Sequence, residues 1–463
     1  MLLMSDLRAD RLRLFCQSVW AERHLCLWQA KDSKASIVTK RYNSPEVDEM
    51  GTLSTKASKG FSTWGRNAKV LVLTEPFWSL PMSWIFFYRT IFLRESIGLS
   101  EVQIGLLSTV YTFFSIIAPL AGGYLADRFG RKKTLMLFDS VGFLSSLVVW
   151  FLTRDIWYAL AAYMLEALAS VIFAVWECLL VEDTEPEHRS GIYGYVSAIY
   201  NIGALSTPIA GLLVGLYGLD SGSRILFVIA FLSLIPMFLI RQMYLRETEI
   251  SHQVMEEETF SGLKGYLASL SMIRRNRIMA ALLFTFVVGN FYYGAARYMS
   301  LFLIDVRGIG LSEDLASLMP SVSSISALVI VSLVVPKLSS RGSFVRALSA
   351  GYVMGSLSML MLSYSPTGNL PLVLVSGAIM GVYSAVAFSV SRTFLTNEID
   401  AENNMARAKI LSITVTFSSL LNLPAPVLAG YLYTLDPKLP FIVLSVVLAA
   451  SLGVLLLAVR RKE

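Results

Sequence analysis

Apolar and polar positions alternate along this chain in long blocks, without the short periods of a soluble fold. Twelve apolar segments stand at 69–93, 102–126, 132–153, 157–181, 191–218, 224–244, 278–304, 315–335, 344–363, 370–396, 406–434 and 439–459. A helix needs about 20 apolar residues to cross the hydrocarbon core of a bilayer. Inside that core a helix satisfies its own backbone groups. The pattern therefore predicts an all-α integral membrane protein with 12 transmembrane helices, called spans 1 to 12 below.

Two stretches break the pattern. Residues 1–65 are polar and mixed in charge, without the apolar run of a signal peptide. Met50 stands shortly before span 1, so residues 1–49 read as a disordered tail or an over-extended start. Residues 245–277 form the longest connection between spans and read as a cytoplasmic linker. Its segment from Leu263 to Ile273 has amphipathic spacing, which suits an interfacial helix or a solvated linker. The units are thus a tail at 1–65, a six-span half at 66–244, the linker at 245–277 and a second half at 278–463.

Composition supports many spans over one large soluble core. Charged residues make up 16% of the chain, against roughly 25% in soluble domains. The net charge of +6 could suggest nucleic acid, but the bases sit in short loops and build no extended basic face. Among the segments between and after the spans, the loops after spans 2, 6, 8 and 10, with Arg460, Arg461 and Lys462, hold most of the Lys and Arg. Both termini are therefore expected in the cytoplasm of a multi-pass plasma-membrane protein.

The three cysteines lack metal-ligand spacing, and His24, His188 and His252 all lie outside the apolar segments. No metal or cofactor is expected, and a proton carried within the bilayer must ride on a carboxylate. The usual nucleophile–base sets of an enzyme are missing from the spans. No Walker A sequence is present, so ATP does not drive the protein directly.

An internal repeat relates the two halves. Ile97-Gly98-Leu99-Ser100-Glu101 recurs as Ile309-Gly310-Leu311-Ser312-Glu313 at an offset of 212 residues. Each copy opens the second span of its half. Arg189 and Pro208 likewise match Arg407 and Pro426 at an offset of 218. Such repeats imply two pseudo-symmetric six-helix halves with a binding site between them near the midplane.

The loop between spans 2 and 3 carries Gly123, Asp127, Arg128, Gly130, Arg131 and Lys132. Its order of glycine, acid, glycine and trailing bases resembles the signature loop of the major facilitator superfamily, over about residues 66–460. The resemblance implies a transporter whose halves rock about a central cavity lined by spans 1, 4, 7 and 10. It also implies that Asp127 latches against the N-terminus of span 11, where Arg407 adds a charge; helix N-termini favour acids. The C-half copy has Ser339 in place of the acid, so the latch is one-sided. Gly203, Pro208 and Gly211 in span 5 resemble, incompletely, the glycine-proline motif of the family's antiporters. The alternative is that they only kink and pack that helix.

Acids within the spans are Glu75, Asp139, Glu166 and Glu177, all in the first half. Glu166 reads as a proton or substrate site, or as structural glue. Glu177 lies 11 residues on, which on one continuous helix puts it on the same face. It is expected to pair with Arg131 or Lys132. Glu75, next to Pro76, is a third candidate for proton coupling, and Asp139 reads as a structural partner. Arg89 is a substrate contact or a base snorkelling to the surface. Asn290, Tyr293 and Arg297 of span 7 are candidate substrate contacts from the second half.

The expectation is a monomeric secondary transporter in the lipid bilayer, exchanging a small molecule for protons, with efflux of amphipathic compounds leading. A metabolite or sugar importer and a non-transporting membrane sensor are the alternatives.

Overall fold

The computed structural model describes residues 63–247, 275–338, 340–403, 410, 414 and 417–460. The predicted tail and most of the linker lie outside these residues. All elements among the described residues are helical. Ten helices are long and apolar enough to cross a membrane, and they match predicted spans 1–3, 5–10 and 12. Span 4 is two shorter helices, Ile156–Leu168 and Val171–Val181. The described helix of span 11 is Ala425–Leu435.

Local sequence sets where helices start and break. Asp155 caps span 4 by accepting from the backbone N–H of Trp157 (2.8 Å) and Tyr158 (3.2 Å). Asn276 caps span 7 in the same way. Span 1 divides into Arg66–Thr74 and Pro76–Ile91, with Glu75 between them. Proline removes a backbone donor and starts the second piece at its favoured first position. Span 3 runs as Arg131–Phe138, then a π-helical turn Asp139–Leu144, then Ser145–Leu152. Span 5 is interrupted at Ser206, between Pro186–Leu205 and Thr207–Tyr217.

The repeated pentapeptide is one turn built twice. Gly98 and Gly310 take φ of 76° and 67°, a region costly for any residue with a Cβ. Leu99 then donates its N–H to the Leu93 carbonyl (3.0 Å), and Leu311 to the Leu303 carbonyl (2.8 Å). Ser100 and Ser312 are extended and lead into the next helix. Ser100 forms a reciprocal capping box with Gln103.

The halves meet where span 2 packs on span 11 and span 5 packs on span 8. Glycines allow the close approach. A Cβ on Gly105 would come within 2.6 Å of the Pro426 carbonyl oxygen. Gly211 faces Ser317 of span 8, and Gly203 faces the Ser79 carbonyl of span 1 within the first half. Pro208 lies in the first turn of the second helical piece of span 5. The span 5 motif thus kinks and packs its helix.

Candidate functional site

At the end of the molecule that carries the repeated turns, the halves are joined by two reciprocal hydrogen bonds. Tyr88 of span 1 donates its hydroxyl to the carbonyl of Glu313, at the start of span 8 (2.6 Å). Tyr298, between the two helical pieces of span 7, donates to the carbonyl of Glu101, at the start of span 2 (2.7 Å). Charges surround the second bond. The Glu101 carboxylate receives Arg94 of its own half and Arg307 of the other, each at 3.2 Å. Arg307 also pairs with Asp305 at 3.0 Å, and Asp305 accepts from Tyr433 at 3.1 Å.

Deeper along the seam, the Arg297 guanidinium lies over the ring of Tyr111, 5.6 Å from its centroid. Tyr111 is a neighbour of Tyr163 at 5.7 Å. Tyr163 in turn lies under the Arg89 guanidinium at 4.8 Å. Arg89 binds Glu166 through both carboxylate oxygens, at 2.9 and 2.6 Å. The indole N–H of Trp150 also donates to Glu166 at 3.2 Å. A chain of rings therefore links a C-half cation to the buried Arg89–Glu166 pair. Arg89 is 7% exposed and does not snorkel. Tyr292 and Tyr293 sit side by side at 5.6 Å on span 7.

A second buried ion cluster gathers spans 1, 3, 5 and 6. Arg241 donates to Glu75 (2.9 Å), Asp139 (3.3 Å) and the Thr74 hydroxyl oxygen (3.0 Å). The Tyr200 hydroxyl donates to the other oxygen of Glu75 at 2.5 Å. Arg241, Glu75 and Asp139 are each 3% exposed. Arg241 stands close to the end of span 6, so the sequence pattern alone reads it as an ordinary terminal base.

The signature loop lies at the opposite end from the tyrosine bonds. Gly123 and Asp127 fall in the last turns of the span 2 helix, Glu101–Phe129. Gly130 ends it with φ of 93°. Having no side chain, Gly130 cannot cap span 3. Glu247 does so from beyond span 6, accepting from the backbone N–H of Arg131 (2.9 Å) and Lys132 (3.0 Å). A carboxylate there also complements the helix dipole. Arg131 pairs with Glu182, and the Arg128 guanidinium lies 5.4 Å from the centroid of the Phe129 ring. Arg407 lies outside the described residues, as do the side chains of Asp127 and Asn290.

Arg131 pairs with Glu182, and Glu177 accepts the Tyr193 hydroxyl at 3.2 Å. One expectation, the shared face of Glu166 and Glu177, is corrected here. Glu166 and Glu177 do not lie on one uninterrupted helix. Tight bonds from Ala169 to Glu166 and from Ser170 to Ala167 end the first piece of span 4, so the 3.6-residue phase does not carry across. Sequence reasoning also missed Arg241, Glu182 and Glu247. Each stands at a helix end, where a charge ordinarily signals only a boundary.

Comparisons with known proteins agree with this architecture. The chain is 24% identical over 378 residues to Multidrug resistance protein 2 of Bacillus subtilis, covering 79% of this chain and 88% of that protein. It is 26% identical over 255 residues to a Na(+), Li(+), K(+)/H(+) antiporter of Planococcus maritimus, covering 52% and 57%. The crystal structure of the nucleoside transporter NupG superposes with a TM-score of 0.61 at 13% identity, covering 86% of this chain and 99% of that one. The family model of the Major Facilitator Superfamily matches residues 78–406. With that match over most of its length, and with two pseudo-symmetric bundles joined along spans 2, 5, 8 and 11, the chain belongs to the Major Facilitator Superfamily of membrane transporters.

Proposed function

We propose that this transporter expels amphipathic small molecules across the plasma membrane in exchange for protons. The observation that carries the reading is the ring chain from Arg297 across the seam to the buried Arg89–Glu166 pair. Tyr111, Tyr292, Tyr293 and Arg297 offer flat aromatic faces and one cation to a substrate between the halves. Proton arrival at Glu166 removes its charge and frees Arg89 from its partner. The rings between Arg89 and the seam pass that rearrangement to the substrate. The similarity to a multidrug resistance protein and to a cation/proton antiporter supports the same direction.

In this reading both termini face the cytoplasm, and the tyrosine bonds close the outer side. Asp127 latches the cytoplasmic side against span 11 with help from Arg407. Gly123, Gly130 and the Arg131–Glu182 pair keep that loop in shape. The working unit is the monomer.

The test is dye transport in proteoliposomes under an imposed pH gradient, with ethidium as the probe. Glu166→Gln should lower gradient-driven transport at least about tenfold, since a 1.4 kcal/mol change is already tenfold. Full gradient-driven transport by Glu166→Gln removes Glu166 from the coupling step.

A further inference from the structure

The cluster around Arg241 has a charge imbalance that the Arg89–Glu166 pair does not. Two carboxylates, Glu75 and Asp139, share one guanidinium, and all three side chains are 3–4% exposed. Isolated charge in such surroundings is costly, and groups there change protonation state to avoid it. Among the described residues, the groups bonded to the two acids and to their cation are few. Span 6 contributes Arg241, span 5 the Tyr200 hydroxyl, and span 1 the Thr74 hydroxyl on the far side of Arg241. None of these supplies a second positive charge.

The hydrogen bonds distinguish the acids. Among the described residues Glu75 receives two donors, Arg241 and Tyr200, one on each oxygen. Asp139 receives one, Arg241, at the longer distance of 3.3 Å. Glu75 is thus the better-supplied anion and Asp139 the natural seat of a proton. Both acids also stand at backbone irregularities. Glu75 is the joint between the two pieces of span 1, and Asp139 opens the π-helical turn of span 3. Such turns recur at functional positions.

We propose that Asp139, with Glu75 and Arg241, holds one exchangeable proton, forming a second proton site apart from the Arg89–Glu166 pair. The proposal deepens the proton-coupled reading above and names a further site for it. Asp139 lies nine residues into span 3 from Gly130, about 13 Å along a helix. Access is therefore from the Gly130 end. A hydronium gives its proton to an oxygen of the Asp139 carboxylate, an O–H bond forms, and one water is left. Release to water at the same end reverses the step. Once the proton has gone, two anions compete for Arg241, and their repulsion acts on the joint of span 1 at Glu75. The proton thereby biases the position of the Arg66–Thr74 piece of span 1 against the Pro76–Ile91 piece.

Infrared difference spectra of the full chain in lipid nanodiscs, between acid and alkaline pH, test this, the proton being the probe. The wild type should show the carbonyl stretch of a protonated carboxyl that persists at neutral pH. Asp139→Asn should abolish that band. Glu75→Gln should abolish it as well, because Asp139 then pairs with Arg241 as an anion. Glu166→Gln should leave it in place. Proton uptake over the same range should fall by about one per protein in each of the first two variants. A band that survives in both, or that vanishes with Glu166→Gln, overturns the proposal.

Folding gives a separate check. Each single amide variant keeps the cluster neutral and should melt within a few degrees of wild type, whereas Glu75→Gln with Asp139→Asn strands Arg241 and should melt far lower. Singles as damaged as the double overturn the charge-balance argument. Ethidium transport separates this proposal from the export reading. Expected spectra without gradient-driven transport sink export and keep the site. Gradient-driven transport with unmoved spectra does the reverse.

Discussion

Among the described residues, buried ion pairs stitch the interior of the first half and hydroxyls that of the second, whose Arg341–Glu398 pair stands at a helix start with Arg341 exposed. In the first, Arg89 meets Glu166, Arg241 meets Glu75 and Asp139, and Arg131 meets Glu182. In the second, Ser358 and Ser376 exchange hydrogen bonds between spans 9 and 10, each donating to the other's carbonyl at 2.8 and 2.9 Å. Ser356 and Ser445 do the same between spans 9 and 12, both at 3.0 Å. The Phe344 and Phe394 rings stack at 5.7 Å. Serine pairs need no titration and tie helices at small cost, as small polar residues do in membranes. Buried ions are expensive to isolate and respond to protons. Among the described residues the duplicated architecture thus carries two different interiors, one held by buried ion pairs and one chiefly by hydroxyls.

The largest effect expected from breaking this contrast is at Arg241. Arg241→Met leaves two buried acids without a cation, at a cost of about 3–5 kcal/mol. It should collapse the yield of monodisperse protein, measured by size exclusion in detergent. Next is Arg89→Met, which strands Glu166 at a similar or slightly smaller cost, because the Trp150 N–H still reaches it. Adding Glu166→Met in the same chain should restore much of the melting temperature; no restoration would mean that the pair is not a coupled unit.

A smaller effect is expected at the tyrosine bonds between the halves. Tyr88→Phe or Tyr298→Phe removes one hydrogen bond, about 1 kcal/mol. Each should raise the population open at that end roughly fivefold, read by spin-label distances across the helix ends there, with the double variant near the product. The smallest effect is in the serine interior. Ser358→Ala should cost about 0.6 kcal/mol. A loss as large as that at Arg241 would erase the contrast between the halves.

Much of this was legible in the chain because it rests on short-range rules. Block hydrophobicity gave the spans, and the pentapeptide repeat marked the two halves. The break at Glu75–Pro76 follows from proline chemistry. What escaped depends on partners far apart in sequence. Arg241 lies 166 residues from Glu75, and Glu247 lies 116 from the N–H groups it caps. No local pattern distinguishes such a base or acid from an ordinary helix-end charge. Arg89 stayed open between substrate contact and snorkelling for the same reason, since its partner Glu166 is 77 residues away. The continuous face from Glu166 to Glu177 failed because two tight turns at Ala169 and Ser170 carry no proline or glycine to announce them.

The tyrosine bonds have a further property that follows from their acceptors. Both hydroxyls end on main-chain oxygens, those of Glu313 and Glu101. Every amino acid supplies that oxygen, so no point substitution at either acceptor can delete it. Genetic drift can erase the contact only from the donor side, or by shifting the glycine turn that aims the carbonyl. Homologues should therefore keep this closure where the side chain that opens span 8 varies, whereas at span 2 the Glu101 carboxylate also holds Arg94 and Arg307. The inheritable element is the shape of a turn, copied once in each half, and each copy is the socket for the other half's hydroxyl.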